Sequence, residues 1–166
     1  MIVIAVFGGT AAGCAPARPR ADGQAIVVSR KGYRVTAPPG WEPIASSGAD
    51  VALRQPARQA GLMAHGTCGG REARRPLPVL ARHLRFGLRD VQGVEQAPAA
   101  IAGLPGLRSR FTARLDGVPV SVLAVTLEAR GCVYDLVVVA PPAEVGAVAG
   151  DFDRFAESFG LTGESP

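Results

Sequence analysis

The sequence has little of what most catalytic and metal centres are made from. Two histidines and three cysteines occur in 166 residues, and Lys31 is the only lysine. No Cys-x-x-Cys is present, so a redox-active dithiol is not expected. His65 and Cys68 stand three apart, which on a strand sends them to opposite faces, and His83 sits beside arginines. No three ligands converge by spacing, and neither a metal nor any other cofactor is expected. Ser109, Ser121 and Ser158 lack a Gly-x-Ser-x-Gly setting and paired acids are missing, which argues against an enzyme. The glycine-rich Gly66-Thr67-Cys68-Gly69-Gly70 has no Lys-Ser/Thr after it and is no phosphate loop. Aromatic residues are only 5%, so a core must be built from Val, Leu and Ala. Apart from Lys31 the 18 basic residues are all arginine. They are scattered and not interleaved with aromatics, which excludes nucleic acid as the expected partner. The abundance of Arg, Ala, Gly and Pro points to a GC-rich genome more than to a polyanionic ligand.

What is present is enough apolar residue, 48%, for one domain with a real core. Gly131 to Ala140 is the densest apolar run of the mature chain, rich in β-branched residues and closed by Pro141-Pro142. It is too short for a free helix and is expected as a buried strand around which the rest is organised. Asp135 in its middle needs a partner if buried, and an arginine is the expected one.

Residues 1–13 form an apolar leader, shorter than the roughly 20 residues that span a bilayer. A short apolar stretch before small residues is a secretory signal. Ala11-Ala12-Gly13-Cys14 resembles the lipobox of bacterial lipoproteins, with Ala11 where leucine is usual and no Lys or Arg ahead of the apolar run. The resemblance implies acylation of Cys14, and Ala15 after it implies the outer membrane. Several acyl chains on one residue would hold the protein stably to a membrane. Residues 14–30 are then the lipidated cysteine and a flexible tether, 31–161 a single domain, and 162–166 a disordered tail.

Within the domain, Gly32 to Ala37 alternates as a short strand. Pro38-Pro39-Gly40 turns the chain, and Trp41 after it is expected to plug one end of the core. Ala49 to Arg54 and Gly61 to Cys68 are two further strands. A basic loop (Arg71, Arg74, Arg75) leads into a helix starting at Pro76 or Pro78. It would carry Leu77, Leu80, Ala81, Leu84 and Leu88 on one face and Arg82, Arg85 and Arg89 on the other, closing at Asp90 to Gly93. Four strands follow: Val94 to Ala102, Leu107 to Leu115, Val118 to Leu127 and the organising run. The last three are joined by the Asp116-Gly117 hairpin turn and by Glu128 to Gly131, an antiparallel meander. A final helix, Ala143 to Phe159, aligns Val145, Val148, Phe152, Phe155 and Phe159 in one stripe. Each such side chain contributes roughly 1.5–3 kcal/mol when buried, making this helix a main clamp on the sheet.

This order resembles the PsbP-like fold, shared by the photosystem II extrinsic protein and many small bacterial lipoproteins. The resemblance is carried by Pro38-Pro39-Gly40-Trp41, by Ile101-Ala102-Gly103-Leu104-Pro105 and by Asp151-Phe152-Asp153-Arg154-Phe155 to Ser158-Phe159. It implies an α+β fold, an antiparallel β-sheet with helices packed on its faces in an α/β/α sandwich. No photosystem or metal contact carries over, since no residue matches one.

If Cys14 is acylated, Cys68 and Cys132 remain as an even pair in an oxidising compartment, one ending a strand and one beginning another. A structural disulfide is expected between them. Two arginine sets stand out: Arg108, Arg110 and Arg114 on one strand face, and Arg82, Arg85 and Arg89 on a helix face. Either could meet anionic headgroups or an envelope protein; a solvated face is the plain alternative. The expected function is a lipid-anchored, non-enzymatic binding or adaptor module of the bacterial cell envelope, facing the periplasm or the exterior. The alternatives are a carrier of a small apolar ligand, held in a cleft between sheet and helix, and a hydrolase.

Overall fold

The structure, a computed structural model, describes residues 23, 25–69 and 75–163. Cys14, the leader, most of the tether, Arg71, Arg74 and residues 164–166 lie outside the described residues. The strands are β1 (Ala25–Val28), β2 (Tyr33–Thr36), β3 (Glu42–Pro43), β4 (Val51–Gln55), β5 (Ala60–Cys68), β6 (Arg89–Ile101), β7 (Leu104–Leu115), β8 (Val118–Ala129), β9 (Cys132–Ala140) and β10 (Gly160–Leu161). The helices are α1 (Leu77–Leu80), continued by a 3-10 turn over Ala81–Arg85, and α2 (Val145–Glu157). This is an antiparallel sheet with helical segments on its faces.

The organising run is β9, fourth in the seven-stranded order β3-β4-β5-β9-β8-β7-β6. Its central place explains its composition, because a strand flanked by β5 and β8, closed by α2 on one face and partly covered by the 76–88 segment on the other, meets little water. β6 to β9 form the meander through two-residue turns at Ala102-Gly103, Asp116-Gly117 and Arg130-Gly131, each with positive φ at both positions. That backbone matches the right-handed twist of the strands it joins.

One face of the sheet is closed by α2 and β2. All five stripe residues are buried, from Phe152 and Phe155 at 0% to Val145 at 7% exposure. The scarce aromatics are concentrated here: the Tyr33, Tyr134 and Phe159 rings lie 5.1 to 5.7 Å apart. Trp41 is buried as the plug and donates its indole N–H to Asp151 at 2.9 Å. Ser158 joins helix to strand by accepting the Thr36 N–H at 2.8 Å. On this same face Cys68 and Cys132 are directly opposite across β5 and β9, with Cα atoms 4.1 Å apart, and are disulfide-bonded.

Four sequence expectations are corrected. Ala25–Val28, within the stretch assigned to the tether, is a strand paired with β2, and with β10 it completes a second, three-stranded sheet. Thr162 in the expected tail donates its N–H to Gly32 at 2.8 Å. The helix expected to run to Asp90 stops after one α turn and one 3-10 stretch, and β6 begins at Arg89, five residues before the expected Val94. No side chain caps its N-terminus, and Gly87 at φ +80° breaks the chain before a long helix can nucleate. Arg89 therefore leaves the face of Arg82 and Arg85 and stands opposite Arg114 on the neighbouring strand. Finally, the partner of Asp135 is a histidine and a threonine, not an arginine.

Candidate binding face

The pleat of β9 decides what meets what. Tyr134, Leu136 and Val138 point to the α2 side, while Val133, Asp135, Val137 and Val139 point to the other. Arg108 lies opposite Val125, which belongs to the α2-side core, so Arg108 and Asp135 are on opposite faces. Arg108 instead pairs with Asp153 of α2 at 2.7 Å and lies 5.7 Å from the Phe152 ring. It is part of the clamp. Arg110 on the same face is exposed, and Arg114 spans to Asp90 at 3.4 Å and to the Gly117 carbonyl at 2.8 Å. The two arginine sets are therefore not one surface: Arg82 and Arg85 belong to the segment on the opposite side of the sheet.

That second side has only the short 76–88 segment as cover. Leu80 and Ala81 are buried, and Leu84 and Leu88 are half-buried against Phe111, Val122 and Val137. The stripe foreseen as helical is thus real, but too short to close the face. A groove of about 400 Å³ remains, floored by Met63, Val122, Val137 and Val139, with Leu84 and Leu115 as walls. Phe86 at its edge is 83% exposed, the most exposed large apolar side chain among the described residues. A second hollow of about 350 Å³ adjoins it, sharing His83, Phe86 and Asp135 and carrying Arg75 and Arg82.

Between the two hollows stands one polar constellation. Asp135, 6% exposed, accepts the Thr126 hydroxyl at 2.8 Å and meets His83 Nε2 at 2.7 Å. The Nδ1 of His83 lies against the Leu80 carbonyl. Each ring nitrogen thus faces an oxygen acceptor. With Nε2 on Asp135 and Nδ1 on Leu80, neither nitrogen is placed to take a proton from a nucleophile. The pair satisfies a buried carboxylate and pins the 76–88 segment to the sheet.

A second polar cluster surrounds Asp50. It accepts the Gly66 N–H at 2.7 Å and the Tyr33 hydroxyl at 3.0 Å, and pairs with Lys31 at 2.7 Å. Burial pushes the Asp50 carboxyl up, but the hydrogen bonds from Lys31, Gly66 and Tyr33 outweigh it, so the group stays below the usual carboxylate range. Burial, and then the Asp50 charge, push the Tyr33 hydroxyl far up. Gly66 is required here, since a Cβ would meet the Tyr134 ring at 3.1 Å and the Lys31 side chain at 3.2 Å. The carboxylate is fully engaged, and the cluster joins β2, β4 and β5 as a structural unit. His65 Nδ1 is 3.7 Å from Asp50, too far for a hydrogen bond, and is buried without a partner. Among the described residues no group of three or more ligating side chains could hold a metal.

The Thr126–Asp135 contact could be read from the sequence, because a two-residue turn at Arg130-Gly131 fixes that register. His83 carried no comparable signal: it comes from 52 residues away, and only the fold brings it to Asp135.

No family model matches the chain, and no curated protein matches it in sequence. Solved structures do resemble it. The solution structure of cyanobacterial PsbP (CyanoP) from Synechocystis sp. PCC 6803 aligns over 89% of this chain and 98% of that one, with a TM-score of 0.58 and 15% identity. LpqN, described as involved in cell envelope biogenesis of Mycobacterium tuberculosis, aligns over 90% of each chain with a TM-score of 0.58 and 14% identity. A protein from Bacteroides thetaiotaomicron aligns over 80% of this chain and 46% of its own, with a TM-score of 0.59 and 7% identity. At such identities the likeness establishes the fold: the chain is PsbP-like, as the motif order implied.

Proposed function

We propose that this chain is a lipid-anchored, non-enzymatic binding module of the bacterial cell envelope, with its anchor at Cys14 and the open face of the sheet as its working surface. The observation that carries the reading is the apolar groove edged by Phe86, on the face of the sheet that α2 does not cover. Exposed apolar hollows with a few polar groups are where small proteins bind. The Cys68–Cys132 disulfide supports a compartment outside the cytoplasm. The likeness to an envelope biogenesis protein agrees with that setting. No helix among the described residues is long and apolar enough to cross a membrane. In this reading the acylated Cys14 supplies the attachment, and Ala15 after it favours the outer membrane.

The reading is tested by treating cells with an inhibitor of lipoprotein signal cleavage such as globomycin. A larger precursor should accumulate, and Cys14→Ser should prevent acylation; unchanged size would remove the anchor. A photo-crosslinking residue in place of Phe86 should capture an envelope component, whereas one in place of Val27 on β1 should not. A second reading, a carrier of a small apolar ligand, is favoured by the aliphatic floor of the groove.

A further inference from the structure

We propose that the open-face groove is a binding site for a single-chain anionic amphiphile, its hydrocarbon chain lying on Val122, Val137 and Val139 and its acid head at Arg82. The proposal rests on reading this face as the working surface, and does not depend on the anchor at Cys14.

The two adjoining hollows, about 400 and about 350 Å³, differ in chemistry. The first is floored by aliphatic side chains of β5, β8 and β9. The second carries Arg75 and Arg82 beside Val79 and Leu80. Each falls within the range of about 300–1,000 Å³ typical of small-molecule sites. Among the described residues Asp135 is the one acid lining either hollow, and its two oxygens are engaged by Thr126 and His83. An acid head entering the second hollow therefore meets the Arg82 guanidinium, which Asp135 does not engage, while a cationic head is opposed. A hydrocarbon chain matches the aliphatic lining of the first. A bilayer is a poorer occupant, because Val122 and Val137 on the floor are buried and only Phe86 at the edge stands well exposed.

The test uses the full chain carrying Cys14→Ser, titrated with a dansyl-labelled undecanoic acid whose emission rises in an apolar site. Laurate should displace the probe, with dodecanol weaker by about tenfold, a difference near 1.4 kcal/mol. Arg82→Glu, on an exposed side chain, should weaken laurate by about tenfold and leave dodecanol unchanged. Val139→Trp should abolish displacement by both. Leu115→Trp fills the groove from its half-exposed wall and should do the same if the first variant disturbs folding. Failure of laurate to displace the probe with the fold intact would overturn the site. Equal weakening of laurate and dodecanol by Arg82→Glu would overturn the acid head. Binding to phosphatidylglycerol vesicles that Val139→Trp leaves untouched and laurate does not compete would assign the face to a membrane and overturn the proposal. Acylation of Cys14 and crosslinking at Phe86 are separate readouts, so the envelope-module reading survives a negative laurate result.

Discussion

The two faces of the sheet are covered in different ways from similar material. On one, a thirteen-residue helix lays a continuous stripe across β8 and β9, and Phe152, Phe155 and Phe159 leave no room for water. On the other, a four-residue helix and a five-residue 3-10 turn present leucines at helical spacing but cover only part of the strands. The difference lies in backbone chemistry. Pro141-Pro142 precede a stretch that then runs uninterrupted to Ser158, whereas Pro76 precedes one that leaves the α-helix after Leu80 and ends altogether before Gly87. Packing strength and binding capacity are thereby separated on opposite sides of one sheet.

The sharpest way to break this contrast is to weaken the closed face. Phe155→Ala should cost roughly 3–5 kcal/mol, measured by urea unfolding, because the site is wholly enclosed. Leu84→Ala on the open face should cost clearly less, about 1–2 kcal/mol, since half-exposed groups leave no sealed cavity; equal losses would erase the distinction. Loss of the disulfide, by Cys68→Ala with Cys132→Ala, should cost about 4 kcal/mol on the chain-entropy account for a separation of 64 residues. A smaller effect comes from the pin between segment and sheet. His83→Ala should cost about 1.5–3 kcal/mol by removing a hydrogen bond to a buried carboxylate, and hydrogen exchange should speed up across 76–88 before anywhere else.

The Asp50 cluster gives a pH test confined to the closed side. Its folded carboxyl titrates below the ordinary 3.8, so its contribution is complete above that value and is lost as pH falls through the lower folded value. Asp50→Asn should therefore lower stability at neutral pH and flatten the acid limb of the unfolding curve below about pH 4. At the small end, Phe86→Ser should change stability by less than about 0.5 kcal/mol, since the ring touches little.

How much of this was legible depended on whether a feature was local. The stripe of α2, the alternation of β7 and the Asp116-Gly117 turn all follow from spacing, which sequence displays directly, and the burial of β9 follows from its apolar composition. The disulfide was legible because one cysteine ends a strand and the other begins one, and β5 and β9 are the antiparallel neighbours that bring those ends together. The length of the first helix was not, because Leu77 to Leu88 keeps helical periodicity although the backbone abandons the helix at Ala81. Nor was the partner of Asp135. Alternation correctly placed Arg108 and Arg110 on one face, but only the strand order reveals that Asp135 looks away from it and toward His83.

β10 lies against β2, and Thr162 reaches Gly32. The first and last strands of the described fold therefore flank β2 in one small sheet, and a short peptide could connect them. New ends could then be opened at Asp116-Gly117, a solvent-facing turn distant from α2. Such a circularly rearranged chain should retain every inter-strand pairing except that one hairpin link, and would present its termini beside Leu115, where a reporter could watch the groove fill.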